Sequence, residues 1–223
     1  RSTLFPYTTL FRSRSQGWVK LDSMKKAIAF TTCLACVIGL PLAYYGGLEM
    51  ILVGIFCVIF AFLYTTFFSY LGLGDLLVLV FFGIVPVCCS YYVQLHVVTA
   101  EVFLASIACG LVIDALLIVN NFRDRDNDRL AGKNTIIVRL GPKAGLQLYV
   151  GVGVAAIILG GTFWMNGHIL ASLLPLLYLV LHLFTYLKMK RIYQGKALNL
   201  ILGETARNIF IYGVLVSVGL LLV

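Results

Sequence analysis

The feature that most constrains this chain is its series of long apolar runs. A helix needs about 20 apolar residues to cross roughly 30 Å of hydrocarbon. Of the 223 residues 61% are hydrophobic and only 12% charged, more apolar surface than a soluble domain of this size could bury. The sequence therefore predicts an all-α, polytopic transmembrane bundle. The seven predicted spans are Met24–Tyr45, Glu49–Thr66, Leu76–Val93, Val98–Val119, Ala144–Met165, Ile169–Leu187 and Asn208–Val223.

The basic residues orient these spans. Alternating sides at each span places all 17 Lys and Arg residues on one side, which the positive-inside rule identifies as the cytoplasm. The predicted location is a bacterial inner membrane, with the lipid bilayer as partner. The net charge of +8 follows from this topology, so no nucleic-acid partner is expected. Chemistry is expected in the long cytoplasmic loops, Phe67–Asp75, Asn120–Lys143 and Lys188–Arg207.

The second of these loops begins NNFRDRDNDRLAGKNTIIVRLG and is unusually polar. If the preceding helix continues into it, Asp124 and Asp128 share one helix face with Asn120 or Asn121. Two carboxylates at this spacing suit Mg²⁺, which keeps several waters and completes its shell with substrate phosphates. Asp126 points elsewhere on this geometry. The loop therefore predicts a magnesium site.

Cations follow the predicted metal face. Ala131, Gly132 and Lys133 are expected to break the helix and to place Lys133 near the carboxylates, with Arg139 within reach of a second phosphate. Cations beside carboxylates favour a diphosphate bridged by metal. The alternative is a solvated loop whose Arg and Asp side chains pair with one another.

The loop and its neighbouring segments resemble the UbiA superfamily of intramembrane prenyltransferases. The run Asn120–Gly141 is similar to the second aspartate-rich motif of that superfamily, in the form found in the branch that prenylates 1,4-dihydroxy-2-naphthoate. The resemblance covers roughly Gly17–Val223 and includes three further segments: Gly72–Asp75, Phe81–Gly83 with Tyr92–Gln94, and Leu198–Val223.

The resemblance implies nine spans around a cavity in which two aspartate-rich motifs hold Mg²⁺ and a polyprenyl diphosphate. The resemblance makes Asp124 and Asp128 the metal ligands and catalytic residues. It also implies that Asn120 or Asn121 binds the diphosphate together with the catalytic cations Lys133 and Arg139. Arg123 is a further candidate for substrate binding. The implied reaction is transfer of the prenyl group to an aromatic acceptor, giving demethylmenaquinone in menaquinone biosynthesis. Alternatives are another aromatic acceptor, or a non-catalytic or transporter-like membrane protein.

The first aspartate-rich motif has no match in the chain. Residues 1–13 are expected to be a non-native artefact resembling translated adapter sequence, so the native domain is expected to be 14–223, lacking its first two helices. With half of the metal site missing, the chain alone is expected to be inactive.

Two residues outside the motif have open roles. Tyr64 lies near a helix end where some members carry Y-x-x-x-K, but Phe68 replaces the Lys. Tyr64 either lines the cavity and binds substrate or belongs to the aromatic belt at the membrane interface. Asp114 lies inside a span, where an ionisable group is costly. It either contributes to the cavity near the aromatic substrate or makes a neutral interhelical hydrogen bond.

Overall fold

The computed structural model describes residues 20–64, 68 and 71–222. The predicted artefact at residues 1–13 lies outside this part of the chain. The described residues form helices joined by short turns and contain no strand, which confirms the predicted fold class. The helices are α1 (Leu21–Gly46), α2 (Leu48–Leu63), α3 (Gly74–Leu95), α4 (Ala100–Leu130), α5 (Ile136–Leu140), α6 (Pro142–Met165), α7 (Ile169–Ile192) and α8 (Leu198–Leu221).

Six of these helices are long and apolar enough to cross a membrane, as judged over the described residues. They are α1, α3, α4, α6, α7 and α8, and the protein is an integral membrane protein. The predicted count of seven spans is not reproduced. The predicted span Glu49–Thr66 corresponds to α2, which has 16 residues and is shorter than the others.

Several predicted boundaries are wrong, because polar helix ends find partners within the fold. Helix α4 does not stop at Val119 but continues to Leu130, and much of the predicted loop is therefore helical. Helix α8 begins at Leu198 rather than Asn208, which leaves a short connection after α7. Helix α7 is interrupted before Pro175, since proline lacks the amide hydrogen that an uninterrupted helix needs.

The chain divides into two units, Arg1–Val58 and Ile59–Val223. The first contains α1 and most of α2. In α1, large side chains such as Phe30, Ile38 and Leu40 are exposed, and α2 has no buried residue. Helices that are apolar all round suit a lipid environment.

The second unit is organised around α4, which packs against α3, α6 and α8. Its inward side chains form the core with residues of α6 and α8. Among them, Ile118 and Phe122 are fully buried. Because α4 is fixed on three sides, the polar residues at its end hold defined positions.

Small residues allow α3 and α4 to pack closely. Helix α3 contains a π-helical turn, Leu79–Ile84, in its middle. A Cβ atom added to Gly83 in this turn would lie only 2.5 Å from the Cα atom of Gly110 in α4. Glycine at both positions therefore permits a backbone contact that is typical of membrane helices.

A buried polar network joins α6, α7 and α8. The Nε2 atom of His182 lies 2.7 Å from the backbone oxygen of Tyr149, and its Nδ1 atom lies 3.2 Å from the Tyr178 hydroxyl. Because a carbonyl only accepts, Nε2 carries the hydrogen and Nδ1 accepts from Tyr178. The Tyr149 hydroxyl shares a hydrogen bond with Thr205 at 3.0 Å. With its partners satisfied in this way, His182 is structural.

Two glycines of α6 offer a matched test of this packing. A Cβ atom at Gly153 would overlap the His182 ring, whereas one at Gly151 would meet nothing within 4 Å. We expect Gly153→Ala to lower the free energy of unfolding by about 1–3 kcal/mol, the usual cost of overpacking. Gly151→Ala should leave it unchanged or slightly raised. Thermal unfolding in detergent measures both, and equal melting temperatures for the two variants would contradict the predicted contact.

Candidate active site

A cavity of about 360 Å³ lies where the polar end of α4 meets the start of α3. Side chains from both helices line it, together with residues of the segment before α3 and of the turn after α4. The lining residues are Tyr64, Gly72, Gly74, Asp75, Leu117, Asn120, Asn121, Asp124, Asp128, Lys133 and Thr135.

Helix α4 supplies one wall of the cavity. Asn120, Asn121, Asp124 and Asp128 all line it, as their helical spacing predicts. Leu117 lines the same wall one turn deeper. At 1.5 Å per residue, the stretch from Leu117 to Asp128 runs about 16 Å along the helix axis. The wall is thus polar at its outer end and apolar at its inner end.

Asp124 is bound by its neighbour Arg123. Arg123 Nε donates to Oδ1 of Asp124 at 2.8 Å, and Nη2 donates to Oδ2 at 2.6 Å. The same guanidinium also donates to Asn120 at 2.7 Å and to Asn199 of α8 at 2.9 Å. Each carboxylate oxygen has two lone pairs, so Asp124 keeps acceptor capacity toward the cavity. Arg123 thus fixes the position of the Asp124 carboxylate and links α4 to α8 through Asn199.

Asp128 has a different cation beside it. Lys133 Nζ lies 3.5 Å from Oδ1 of Asp128, and the Lys133 amide donates to the Asp128 backbone oxygen at 2.9 Å. The chain reverses direction at Gly132, which has a φ of 71°. The predicted break after α4 therefore occurs, and it returns Lys133 to the carboxylate face.

The facing wall comes from the start of α3. Gly72, with a φ of 76°, lies against the backbone of Asn134 so closely that a side chain would not fit. This contact brings Asp75 opposite the turn that carries Lys133. Tyr64 also lines this wall, and its hydroxyl is 3.9 Å from where a Cβ atom of Gly74 would be. The structure thus places Tyr64 at the cavity.

Other predicted site residues lie outside the lining. Arg123 contacts the cavity only through its hydrogen-bonding partners, and Arg139 is exposed. Asp114 is buried, with 5% of its surface exposed, and its Oδ1 atom has no hydrogen-bond partner. The interhelical hydrogen bond considered for Asp114 is therefore absent at that oxygen. Asp126 is exposed and accepts a hydrogen bond from Gln194 at 3.1 Å, away from the cavity.

Five lining residues had no predicted site role: Gly72, Gly74, Asp75, Leu117 and Thr135. Asp75 belongs to the Gly72–Asp75 segment, and the resemblance of that segment to the family could have indicated a site role for Asp75. Leu117 stands among similar apolar residues of a span, so no local signal distinguishes it. Thr135 caps α5 by accepting from the Val138 amide at 3.3 Å.

The carboxylates of the cavity suit a partial metal site. The described residues contain no group of three or more His, Cys, Asp or Glu side chains placed to hold one metal ion. Asp124 and Asp128 supply two hard oxygen ligands on one face, which fits an ion that takes its other ligands from water and phosphate. Lys133 adds positive charge beside them for an anionic group.

Comparisons with known proteins identify the family of the chain. Residues 20–221 match the UbiA prenyltransferase family. The chain is 38% identical over 139 residues to the 1,4-dihydroxy-2-naphthoate octaprenyltransferase of Escherichia coli (strain K12), an alignment covering 58% of the chain and 45% of that protein. The Haemophilus influenzae protein of the same name is 34% identical over 180 residues, covering 76% of the chain and 56% of that protein.

An animal protein is also similar. The UbiA prenyltransferase domain-containing protein 1 homolog of Drosophila melanogaster is 32% identical over 178 residues, covering 79% of the chain and 46% of that protein. No solved structure matches the chain. The chain spans about half the length of the curated relatives it matches. The family match nevertheless includes nearly every described residue, and the chain therefore belongs to the UbiA prenyltransferase family.

Proposed function

We propose that the cavity binds the diphosphate of a polyprenyl diphosphate through Mg²⁺, and that the protein transfers the prenyl group to an aromatic acceptor. The observation that carries this proposal is the placement of Asp124, Asp128 and Lys133 around one cavity at the end of a membrane-length helix. Enzymes of this family generally use a divalent metal. An apolar prenyl tail would extend into the membrane while its charged group stays at the polar mouth.

Each residue has a distinct part in this mechanism. When bound, Mg²⁺ would neutralise the diphosphate and favour its departure. Asp124 and Asp128 would hold the ion, and Asn120 or Asn121 would hydrogen-bond the diphosphate. Lys133 would stabilise the negative charge that builds on the leaving group as the carbon–oxygen bond breaks. Arg123 would keep Asp124 in place, while Arg139 stays a predicted phosphate contact.

The acceptor follows from the relatives. Proteins named 1,4-dihydroxy-2-naphthoate octaprenyltransferase are 31–38% identical to the chain, so we propose the same acceptor here. Its electron-rich ring would attack the allylic cation left by the diphosphate. Loss of CO₂ from the attacked carbon then gives the reduced form of demethylmenaquinone. Another aromatic acceptor is the alternative within the family.

The membrane orientation is part of the proposal. All 17 Lys and Arg residues fall on the predicted cytoplasmic side, and the cavity carries Lys133 there. We therefore propose that the site faces the cytoplasm from a bacterial inner membrane. This orientation would give the site access to an aromatic acid dissolved in the cytoplasm.

Removing the metal tests the proposed function. Because the chain spans about half the length of its relatives, the test measures binding rather than turnover. We expect the purified chain in detergent to bind farnesyl diphosphate with Mg²⁺, and EDTA to weaken that affinity by roughly 30-fold or more, since two carboxylates would then face an uncompensated diphosphate. Isothermal titration calorimetry gives both affinities.

Farnesol is the matched control ligand. It carries the same apolar tail without the diphosphate, so its weaker binding should not depend on Mg²⁺. If farnesyl diphosphate bound equally well with Mg²⁺ and with EDTA, the cavity would not be a metal-dependent diphosphate site. The proposed function would then be wrong.

A further inference from the structure

The two walls of the cavity differ in how their carboxylates are paired. On the α4 wall, Asp124 has Arg123 and Asp128 has Lys133. On the α3 wall, Asp75 has no ion-pair or side-chain hydrogen-bond partner among the described residues. Its carboxylate bonds to its own backbone amide and keeps acceptor capacity for a ligand that donates hydrogen bonds.

A second carboxyl group lies below this wall. Asp114 is on the same face of α4 as Leu117 and Asn121, at i, i+3 and i+7, one turn deeper than Leu117. It is 95% buried and its Oδ1 atom lacks a hydrogen-bond partner. Asp75 and Asp114 lie close enough to interact electrostatically. The Oδ1 atom of Asp114 is therefore a buried acceptor without a partner, one helical turn from the cavity lining at Leu117.

Asp75 does not complete the metal set. No three carboxylate, His or Cys side chains of the described residues are placed to share one ion. Asp75 therefore stands apart from Asp124 and Asp128, although all three line the same cavity. Tyr64 lines the same cavity, near Asp75, Asp114 and Lys133.

The surroundings of Asp75 suit a flat, partly apolar ligand. Leu117 lies 3.4 Å from where a Cβ atom of Gly74 would be, and the Tyr64 hydroxyl lies 3.9 Å from it. Gly72 and Gly74 contribute no side chains to the lining. This apolar and aromatic lining suits an aromatic ring, whose hydroxyl groups would supply hydrogen-bond donors to the Asp75 carboxylate.

We propose that Asp75 binds the aromatic acceptor, its carboxylate accepting a hydrogen bond from a ring hydroxyl at the Tyr64, Gly74 and Leu117 end of the cavity. This inference rests on the proposed function, because it requires an aromatic diol as second substrate. Donor and acceptor then occupy one cavity, the diphosphate beside the α4 wall with Lys133 and the ring beside Asp75 on the α3 wall.

The test compares the affinities of two ligands for two proteins. Fluorescence titration measures the binding of 1,4-dihydroxy-2-naphthoate and of its 1,4-dimethoxy analogue, which cannot donate, to the wild-type chain and to Asp75→Ala. We expect the wild type to bind the diol about 10- to 100-fold more tightly than the dimethoxy analogue, the range for a hydrogen bond to a charged group. In Asp75→Ala this preference should be lost.

Two controls identify the cause of any loss. Asp126→Asn changes an exposed acid outside the cavity and should retain the full preference. The melting temperature of each preparation, measured in detergent, reports whether the variant is folded. Should Asp75→Ala fail that check, Asp75→Asn replaces it, with an expected loss of several-fold because a neutral amide oxygen accepts more weakly.

Other outcomes would overturn the inference. A wild-type chain that binds farnesyl diphosphate but shows no preference for the diol leaves the proposed diphosphate site standing and removes the role of Asp75. An unchanged preference in Asp75→Ala does the same. Loss of Mg²⁺-dependent diphosphate binding in a folded Asp75→Asn variant would instead assign Asp75 to the metal.

Discussion

Replacing either Asp124 or Asp128 with asparagine should nearly abolish Mg²⁺-dependent binding of farnesyl diphosphate. Both carboxylates line the cavity on one face of α4, and each would bind the ion that offsets the diphosphate charge. Removing one partner from such a charged set costs about 2–5 kcal/mol, so we expect a loss of affinity of roughly 100-fold. Isothermal titration calorimetry with Mg²⁺ present measures it.

Asp126→Asn is the matched control for these two variants. It removes the same charge from the same helix, but Asp126 is exposed and bonds to Gln194 outside the cavity. Its affinity should stay within about twofold of the wild type, since surface substitutions rarely exceed 0.5 kcal/mol. Equal losses in all three variants would indicate a general charge effect and would contradict a specific metal site.

The same variants test an alternative role for the two carboxylates, in which they only form ion pairs. If Asp124 and Asp128 served only to pair with Arg123 and Lys133, their replacement would lower stability and leave metal dependence unchanged. The metal role predicts the opposite pattern, because an asparagine still accepts a hydrogen bond from Arg123 but is a poor Mg²⁺ ligand. Melting temperature and Mg²⁺ dependence therefore separate the two roles.

Arg125→Ala should cause the largest loss of stability among substitutions at the polar end of α4. Arg125 is 7% exposed, and its Nη1 atom donates to the backbone oxygens of Phe122 at 2.7 Å and Tyr193 at 3.1 Å. Its guanidinium also lies over both aromatic rings, 4.6 Å from the centre of Phe122 and 5.1 Å from that of Tyr193. The side chain thus stabilises the packing of the connection between α7 and α8 against α4.

The backbone at that connection explains why the contact matters. Tyr193 has a φ of 58°, a left-handed conformation that costs a residue with a side chain about 1–2 kcal/mol. The bond from Arg125 and the edge-on packing of the Tyr193 ring against Phe122 help to hold it there. Losing a buried charged donor together with its ring contacts should lower the free energy of unfolding by about 3 kcal/mol.

Unfolding in detergent by heat or denaturant measures this loss. Arg129→Ala is the control, since Arg129 is exposed one turn further along α4, and it should change stability by less than about 0.5 kcal/mol. Arg125→Lys should fall between the two, because an ammonium group cannot span both carbonyls and both rings in the same way. Comparable stability of Arg125→Ala and Arg129→Ala would contradict the proposed role of Arg125.

Predictions from the sequence succeeded where a property is local. Apolar runs predicted the membrane helices, and helical spacing predicted that Asn121, Asp124 and Asp128 would share a face. The break at Gly132 and the return of Lys133 were also expected. Helix boundaries were less accurate, because α4 and α8 carry polar residues that find partners inside the fold.

The sequence could not separate residues with the same local chemistry. Arg123, Arg125 and Arg129 stand in one charged run, yet one holds Asp124, one is buried against Phe122 and Tyr193, and one is exposed. The sequence predicts that Arg139 contacts a phosphate, but Arg139 is exposed and does not line the cavity. Which of these side chains reaches the cavity depends on the turns that follow α4.

The sequence by itself determined that this protein lies in a membrane, that it is helical, and that one helix end carries paired carboxylates. Hydrophobicity and periodicity are properties of neighbouring residues, so they can be read along the chain. Only the tertiary structure decided that Asp75 and Tyr64 face those carboxylates, and that Asp114 lies unsatisfied beneath them. These relations depend on close backbone contacts between distant segments, Gly72 with Asn134 and Gly83 with Gly110, which no local pattern specifies.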